Sequence, residues 1–335
     1  MAAQHYGVQV ESEMGIPIYV LTDANHGAEA RVVPARGHNC FIFRTTVDGI
    51  LCDVMAHPHS LSDVASAPSH WGNPVLFPFP NRIRGGKFEF DGKTVDLHDT
   101  AARGNAIHGL VMKRSWQVAH AGADDDSAWV RAVASTADLP DILDHWPFPF
   151  TFALTYRLKD GALHIEAEAT NTGVVPMPMG YGIHPYFNIP FVQGSSRADY
   201  DVLVPASGRW ILDESTVPTG EVRPVSGDRD VRSYRPVEHL TFDDVYTGLD
   251  RDGDWSICRL RDRRVGLEFQ VRSDRTFREM VVFTPPWHSA ICFEPYTCTT
   301  DAFNLAARGI DSGMIVLAPG RTWAGTVVME VTRAV

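Results

Sequence analysis

The strongest constraint on the fold is a pair of segments in which apolar and polar residues alternate on either side of a glycine turn. The alternation runs through 151–158 and again through 163–169, with Lys159-Asp160-Gly161 between them. Side chains of a strand point alternately to its two faces, so this pattern predicts two antiparallel strands, each with one buried face. A second hairpin is predicted at 87–97, around the turn Asp91-Gly92.

Strand signals continue along the chain, and helix signals are few. A short helix is predicted within 59–66, the segment 138–144 is ambiguous, and Asp124-Asp125-Asp126 reads as a solvated hairpin tip. Many short strands with little helix predict an all-β chain, a large antiparallel β-sandwich. The other predicted strands are 39–45, 201–204, 256–260, 265–271, 280–284, 289–294 and 325–332.

No linker divides the sequence. The 22 prolines and 27 glycines are spread along the chain, with no low-complexity tract or internal repeat. All-β sandwiches run past about 250 residues as single units. We therefore predict one domain over 1–335.

Composition narrows the class of partner. A net charge of -11 argues against a nucleic-acid partner, which requires a basic face. The five cysteines are odd in number and form no CxxC pair, which predicts neither disulfides nor a thiolate metal site and favours the cytoplasm. No signal peptide or membrane span is expected, because the first thirty residues carry acidic groups and no apolar run approaches about eighteen residues.

Two short motifs flank the 87–97 hairpin and offer polar side chains. Asn81-Arg82-Ile83 precedes it, where an arginine presents a planar fork of donors to hydroxyl or carboxylate groups. His108-Gly109 follows it. A surface arginine and a buried structural histidine are the alternative interpretations.

Three later segments carry candidates for proton transfer and binding. His184 lies between Ile183 and Pro185, and histidine is the side chain that ordinarily titrates near neutral pH. Glu294 comes at the end of an apolar strand, where a carboxylate is costly unless it is paired or used, and Pro295 is expected to end that strand. In Phe242-Asp243-Asp244, either aspartate can accept hydrogen bonds from a ligand.

Taken in order, these motifs resemble the aldose 1-epimerase (galactose mutarotase-like) family over roughly residues 15–333. The resemblance rests on the order of five motifs and on a closing Leu317-Ala318-Pro319-Gly320 turn. The five motifs are Asn81-Arg82-Ile83, His108-Gly109, His184-Pro185-Tyr186-Phe187, Asp243 and Glu294.

The resemblance implies a sugar cleft on a β-sandwich and an isomerase that interconverts the anomers of a free aldose. It implies that His184 is the general acid for the ring oxygen and Glu294 the general base for the anomeric hydroxyl. Arg82, His108 and Asp243 are then expected to orient the sugar, with Asn81 beside Arg82. No metal or cofactor is expected, because anomer exchange needs only proton transfer.

Aromatic side chains are expected at the cleft, because the C–H faces of a pyranose favour them. Tyr186, Phe187 and Trp287 are predicted to line or flank the sugar. Departures from the galactose-specific pattern surround the cleft, including Pro185 where threonine is common and Pro295-Tyr296 after Glu294. They leave the choice of sugar open.

Two other functions remain open from the sequence. One is a carbohydrate-binding protein without activity, which has no need of both His184 and Glu294. The other is a hexose-phosphate 1-epimerase, which needs additional cations for a phosphate dianion. Arg84, Lys87 and Arg103 are the candidates for that role.

Overall fold

The computed structural model describes residues 5–334, so residues 1–4 and 335 of the predicted domain lie outside the described residues. In chain order the strands are β1 (Tyr6–Glu13), β2 (Ile16–Asp23), β3 (Ala28–Val33), β4 (Asn39–Val47), β5 (Ile50–Asp53), β6 (Val75–Leu76), β7 (Arg82–Arg84), β8 (Lys87–Phe90), β9 (Lys93–Asp96), β10 (Asn105–Ile107), β11 (Gln117–Ala123), β12 (Ala128–Ser135), β13 (Phe150–Lys159), β14 (Ala162–Asn171), β15 (Met177–Met179), β16 (Gly182–Ile183), β17 (Tyr186–Asn188), β18 (Tyr200–Leu203), β19 (Ala206–Leu212), β20 (Pro218–Pro224), β21 (Arg235–Pro236), β22 (Asp243–Leu249), β23 (Ser256–Asp262), β24 (Leu267–Ser273), β25 (Glu279–Phe283), β26 (Ala290–Tyr296), β27 (Ile315–Leu317) and β28 (Thr322–Arg333).

The strands form three larger antiparallel sheets and three two-stranded pairs within the described chain. One sheet has five strands in the order β1-β2-β3-β4-β5. A nine-stranded sheet has the order β11-β12-β13-β14-β28-β24-β23-β18-β21. An eight-stranded sheet has the order β20-β19-β22-β25-β26-β16-β6, with β17 also paired to β26. The small pairs are β7 with β10, β8 with β9, and β15 with β27.

The main core lies between the nine-stranded and eight-stranded sheets. Phe152 of β13 stacks on Phe77, which follows β6, with ring centroids 4.3 Å apart. Phe269 of β24 contacts Phe187 of β17 at 4.5 Å. The all-β sandwich predicted from the alternating pattern is confirmed.

Both predicted hairpins are confirmed. Strands β13 and β14 pair antiparallel along their full length, from Phe150 opposite Asn171 to Lys159 opposite Ala162. Their alternate apolar residues are buried, while Glu166 and Glu168 face outward and pair with arginines. The 87–97 hairpin forms between β8 and β9, and the acidic run at 124–126 forms the loop between β11 and β12.

Helical structure is limited to short segments in the described residues. The predicted helix in 59–66 is α1 (Leu61–Ser66), and the ambiguous 138–144 holds a 3-10 turn at Pro140–Asp144. A second helix, α2 (Ala302–Ala307), was not predicted. None of the helices in the range 5–334 is long and apolar enough to cross a bilayer.

Candidate active site

The site lies on the outer face of the eight-stranded sheet, opposite the core. Strict alternation along β26 produces it, because Ile291 and Phe293 point into the main core while Cys292, Glu294 and Tyr296 point the other way. A carboxylate is therefore delivered by a strand whose other face is anchored in the core. The neighbouring strands contribute in the same way, with Val281 and Phe283 from β25 and Asp243 from β22.

His184 is carried by the break between β16 and β17. Gly182 pairs with Tyr296 and Tyr186 pairs with Cys292, so both short strands keep one register with β26. That register puts His184 directly across from Glu294. The backbone N–H of His184 donates to the carbonyl of Pro74, on the side away from β26. The pair is therefore of the non-hydrogen-bonded type, in which opposing side chains approach most closely.

Prolines interrupt the ladder on both sides of this pair. Pro185 follows His184, and Pro295 follows Glu294, and neither has an N–H to donate. The prediction that Pro295 ends its strand is wrong, since β26 continues through Pro295, opposite Met280, to Tyr296. The reason is the direction of the missing donor. Backbone N–H groups two residues apart in a strand point to the same side, and the N–H of Thr297 donates to the carbonyl of Tyr181, next to β16. The N–H that Pro295 lacks would therefore also point toward β16 and not toward β25. The ladder toward β25 remains intact.

Glu294 is almost fully buried, with 1% of its surface exposed. Its Oε1 lies 3.4 Å from His184 Nδ1, and its Oε2 accepts a hydrogen bond from the Tyr296 hydroxyl. A Cβ at Gly182 would come within 2.2 Å of the Tyr296 ring, so glycine there makes room for this tyrosine. Burial raises the pKa of Glu294 well above its usual range, while Tyr296 and Arg82 act against that rise.

His184 is likewise buried, and its ring lies parallel to that of Tyr186, with centroids 4.8 Å apart. Burial lowers its pKa to about 3. The pair has an imidazolium–carboxylate form and a neutral imidazole–carboxylic acid form. These two forms have the same total number of protons and differ only in which side chain holds one of them. Burial favours the neutral form, and the pair reaches the charged form by moving one proton between the two side chains.

One edge of the cavity is built by the antiparallel pair of β7 and β10. Ile107 pairs with Arg82, and the next residue, His108, donates its N–H to the carbonyl of Asn81 at 2.9 Å. The Asn81 side chain accepts a hydrogen bond from Arg82 Nη1 at 3.1 Å. Asn81 and His108 face each other at the end of this pair, and both have positive φ, which lies outside the β region. Both strands of the pair therefore stop at these two residues.

Several buried nitrogens of this site make no hydrogen bond within the described residues. Within residues 5–334, the buried side-chain nitrogens that make no hydrogen bond include Arg82 Nε, His108 Nδ1 and His184 Nδ1. Buried polar atoms are ordinarily hydrogen-bonded, so these atoms are available to the oxygen atoms of a ligand.

The two candidate aspartates point in opposite directions. Asp243 lines the cavity near Arg82, whose charge lowers its pKa against a larger rise caused by partial desolvation. Asp244 is buried in ion pairs with Arg209 and Arg229, at 2.6 and 2.8 Å. Because side chains alternate between the two faces at the start of β22, Asp243 faces the cavity and Asp244 is held in structural ion pairs.

Aromatic residues form the wall nearest the solvent. Trp287, in the loop between β25 and β26, is 47% exposed and stacks on His70, with ring centroids 4.3 Å apart. Phe283 lies 5.8 Å from Trp287 and 6.1 Å from His184. Phe187, also predicted near the sugar, instead packs in the main core, because β17 alternation turns it away from Tyr186.

Eight of the nine residues predicted at the sugar site line one cavity of about 250 Å³, and Phe187 is the exception. The sequence analysis missed five others that line it: Ser69, His70, Ile107, Val281 and Phe283. Val281 and Phe283 follow from alternation in the predicted strand 280–284. Ser69 and His70 lie in a loop with no periodic signal. Tyr296, the partner of Glu294, follows from alternation two residues after it.

His184, Cys292 and Glu294 form the group with metal-ligand chemistry in the described range, their ligand atoms lying within 4.8 Å of one another. All three are buried, and two of them form the proton-transfer pair. None of the three cations considered for a phosphate lines the cavity, although Arg103 is close enough for its charge to act on Arg82 and Asp243. Arg84 pairs with Asp213 at 2.6 Å and Lys87 with Asp96 at 2.8 Å.

Comparison with known proteins identifies the family of the chain. The sequence model of the family described as aldose 1-epimerase matches residues 51–330. The Escherichia coli K12 protein YihR is 27% identical over 269 residues, which cover 79% of each chain. Human galactose mutarotase is 30% identical over 170 residues, 49% of this chain and 45% of the human protein.

A solved structure shares the fold over nearly the whole chain. A galactose mutarotase-like protein from Clostridium acetobutylicum superposes with a TM-score of 0.89, covering 98% of this chain and 99% of the other at 23% identity. The predicted sandwich architecture is therefore that of a known fold.

Proposed function

This chain belongs to the aldose 1-epimerase family, and we propose that it interconverts the α and β anomers of a free aldose with His184 and Glu294 as the acid–base pair. The observation that carries the proposal is the approach of His184 Nδ1 to Glu294 Oε1, 3.4 Å apart in a buried cavity. General acid–base groups of this kind contribute on the order of 10²–10⁴-fold in rate each.

In the proposed reaction, the Glu294 carboxylate accepts the proton of the anomeric hydroxyl as the C1–O5 bond breaks. The C1–O1 bond becomes a carbonyl, and the His184 imidazolium donates its proton to O5. Rotation about C1–C2 then presents the other face of the carbonyl, and ring closure returns both protons. The pair ends with the single proton it began with, so no metal or cofactor takes part.

The remaining polar residues orient the sugar in this proposal. Arg82 offers hydrogen-bond donors beside Asp243, and its burial keeps water from competing with the sugar for those donors. His108 has a lowered pKa through burial and through the nearby His184, so it is a neutral donor or acceptor. Tyr186 and Trp287 provide ring surfaces for the C–H faces of the pyranose.

An unphosphorylated sugar fits these residues better than a sugar phosphate. The ion pairs of Arg84 and Lys87 with aspartates leave them away from the cavity. A purely binding role would leave a buried histidine facing a buried glutamate without use. We also propose a cytoplasmic location, supported by five buried cysteines that are all free, and a single domain.

The direct test uses pure anomers. NMR should detect faster exchange between the α and β forms of glucose or galactose in the presence of the protein, and the rate should persist in EDTA. A folded protein that binds sugars but accelerates exchange of none of them would contradict the activity. Loss of activity in EDTA, restored by a divalent ion, would contradict the metal-independent mechanism.

A further inference from the structure

Cys292 is a buried thiol beside the acid–base pair, and the proposed reaction does not use it. It lies on β26 two residues before Glu294, so alternation turns both side chains to the outer face of the sheet. Cys292 pairs with Tyr186 of β17 on one side and with Phe283 of β25 on the other. Both of these residues line the cavity, so the thiol lies between two residues of its wall.

The simplest role of this thiol is packing. Cys292 belongs to a small apolar cluster with Ala56, Tyr186 and Ala290, and a buried free cysteine often behaves as a small apolar side chain. Its position relative to the acid–base pair distinguishes it from such a cysteine.

The sulfur of Cys292, a ring nitrogen of His184 and a carboxylate oxygen of Glu294 lie within 4.8 Å of one another. His184 Nδ1 and Glu294 Oε1 are 3.4 Å apart. Zinc binds nitrogen and oxygen at about 2.0–2.1 Å, so two such ligands of a tetrahedral ion are about 3.3 Å apart. One edge of a zinc site is therefore already present. Zinc binds sulfur at about 2.3 Å, so the sulfur has to approach the other two ligands by about 1 Å at most.

The ring nitrogen that faces Glu294 is free to bind an ion. His184 is 6% exposed, and in the part of the chain that the structure describes its Nδ1 makes no hydrogen bond. Buried polar atoms ordinarily have such a partner. The neutral imidazole is also the commonest metal ligand in proteins.

The charges of the three groups suit a divalent ion in a buried place. The thiolate and the carboxylate supply two negative charges, which neutralise the ion, and the imidazole supplies none. Binding releases two protons, one from the thiol and one from the acid–base pair, and the histidine keeps its other ring proton. Sulfur and nitrogen ligands favour zinc over magnesium and calcium, which prefer oxygen.

We propose that His184, Cys292 and Glu294 form an inhibitory site for zinc and chemically similar divalent ions. A bound ion occupies both members of the acid–base pair, so it stops proton transfer until a chelator removes it. The inhibition rests on the proposed function, whereas the binding of the ion does not.

Cobalt chloride tests the binding without any measurement of activity, because a thiolate bound to Co²⁺ gives a charge-transfer absorption band in the near ultraviolet. Wild type should show this band, and Cys292→Ser should lose it. Cys258→Ser is the matched control, since Cys258 is equally buried and belongs to no such group of ligands among the described residues. It should keep the band.

Zinc chloride tests the inhibition. Zinc should stop anomer exchange by wild type, EDTA should restore it, and magnesium chloride should have no effect. Cys292→Ser should keep the wild-type rate without zinc. It should need at least about 100-fold more zinc for half-inhibition, since even the loss of an outer partner of a metal ligand costs about 10–100-fold in affinity. Cys292→Ala, which matches its neighbours Ala56 and Ala290, guards against a folding defect of the serine variant.

The outcomes separate this inference from the proposed function. Absence of the cobalt band from wild type, its retention in both Cys292 variants, or zinc inhibition that neither variant weakens would overturn the inference and leave the proposed function standing. A cobalt band that depends on Cys292, in a protein that exchanges the anomers of no sugar, would overturn the inhibition together with the proposed function and support the binding site alone.

Discussion

His184 faces Glu294 across one antiparallel register, and a proline follows each of them. The register is set by Gly182 opposite Tyr296 on one side and Tyr186 opposite Cys292 on the other. Between these points the ladder lacks two N–H donors, and the two side chains approach to 3.4 Å. The acid–base pair is thus a cross-strand pair, held by its backbone neighbours on a sheet whose other face is core.

Replacing either member of this pair should abolish most of the activity. Glu294→Gln keeps the shape but cannot accept the O1 proton, and His184→Asn cannot donate to O5, so each turnover rate should fall roughly 10²-fold or more. The double variant should be little worse than the worse single one, because the two residues act as a unit. Rates are measured by polarimetry with a pure anomer.

Sugar affinity should change far less in these variants, because Arg82, His108 and Asp243 remain. Glu168→Gln, on the outer face of β14, is the matched control and should behave as wild type. A folded Glu294→Gln protein with near wild-type turnover would exclude Glu294 from the mechanism.

The pH profile of turnover should be bell-shaped, with the acid limb set by His184 and the alkaline limb by Glu294. This order is the opposite of the one expected from unperturbed side chains. Ordinary values would assign the acid limb to Glu294 and the alkaline limb to His184. Burial instead raises the pKa of Glu294 and lowers that of His184 to about 3. The one-proton pair therefore persists over a broad range that includes neutral pH, and both limbs belong to the pair.

Tyr296→Phe tests this assignment. The Tyr296 hydroxyl lowers the pKa of Glu294, so its removal should move the alkaline limb to higher pH and leave the acid limb in place. Rates across the pH range, measured with wild type and Tyr296→Phe, give the comparison. An alkaline limb that stays unmoved, or moves downward, would assign it to another group.

Glu279 should make the stability of the protein depend on pH. This carboxyl is buried beside Trp210, whose indole N–H donates to it at 3.1 Å, and burial raises its pKa to about 8. Between these two pKa values the folded state therefore keeps a proton on Glu279, whereas the unfolded state, in which the pKa of the carboxyl is 4.5, releases it. Its contribution to the free energy of unfolding is complete below 4.5 and is lost as pH rises through about 8.

Urea unfolding at several pH values between these limits measures the effect. As the pH rises, the free energy of unfolding should fall more steeply for wild type than for Glu279→Gln. The difference between the two slopes should correspond to the release of about one proton on unfolding. Glu330→Gln, a partly buried carboxylate paired with Arg272, is the control and should keep the wild-type slope. Parallel curves for wild type and Glu279→Gln would contradict a raised pKa at this position.

Limited proteolysis should reveal one cooperative unit. Strand β28, near the carboxyl end, lies between β14 and β24 in the nine-stranded sheet, so a cut between those two strands separates paired elements. We expect nicking at exposed loops, followed by loss of the whole chain. Two stable fragments that fold separately would argue for two domains.

Much of this protein followed from the sequence alone, because alternation of period two is a local property. The β13–β14 hairpin could be predicted to within a residue or two, and the face of β26 that carries Glu294 follows from its apolar neighbours. The motifs around Arg82, His108 and His184 were recognisable because their residue types and order are written in the chain.

Tertiary structure decided what local patterns do not contain. The pairing of β16 and β17 with β26 put His184 across from Glu294 over more than a hundred residues of sequence, and it allowed Pro295 to remain within a strand. The loop that brings His70 onto Trp287 has no periodicity to reveal its path. The pKa directions of the pair arise from burial, which depends on long-range packing and therefore reversed the assignment expected from the isolated side chains.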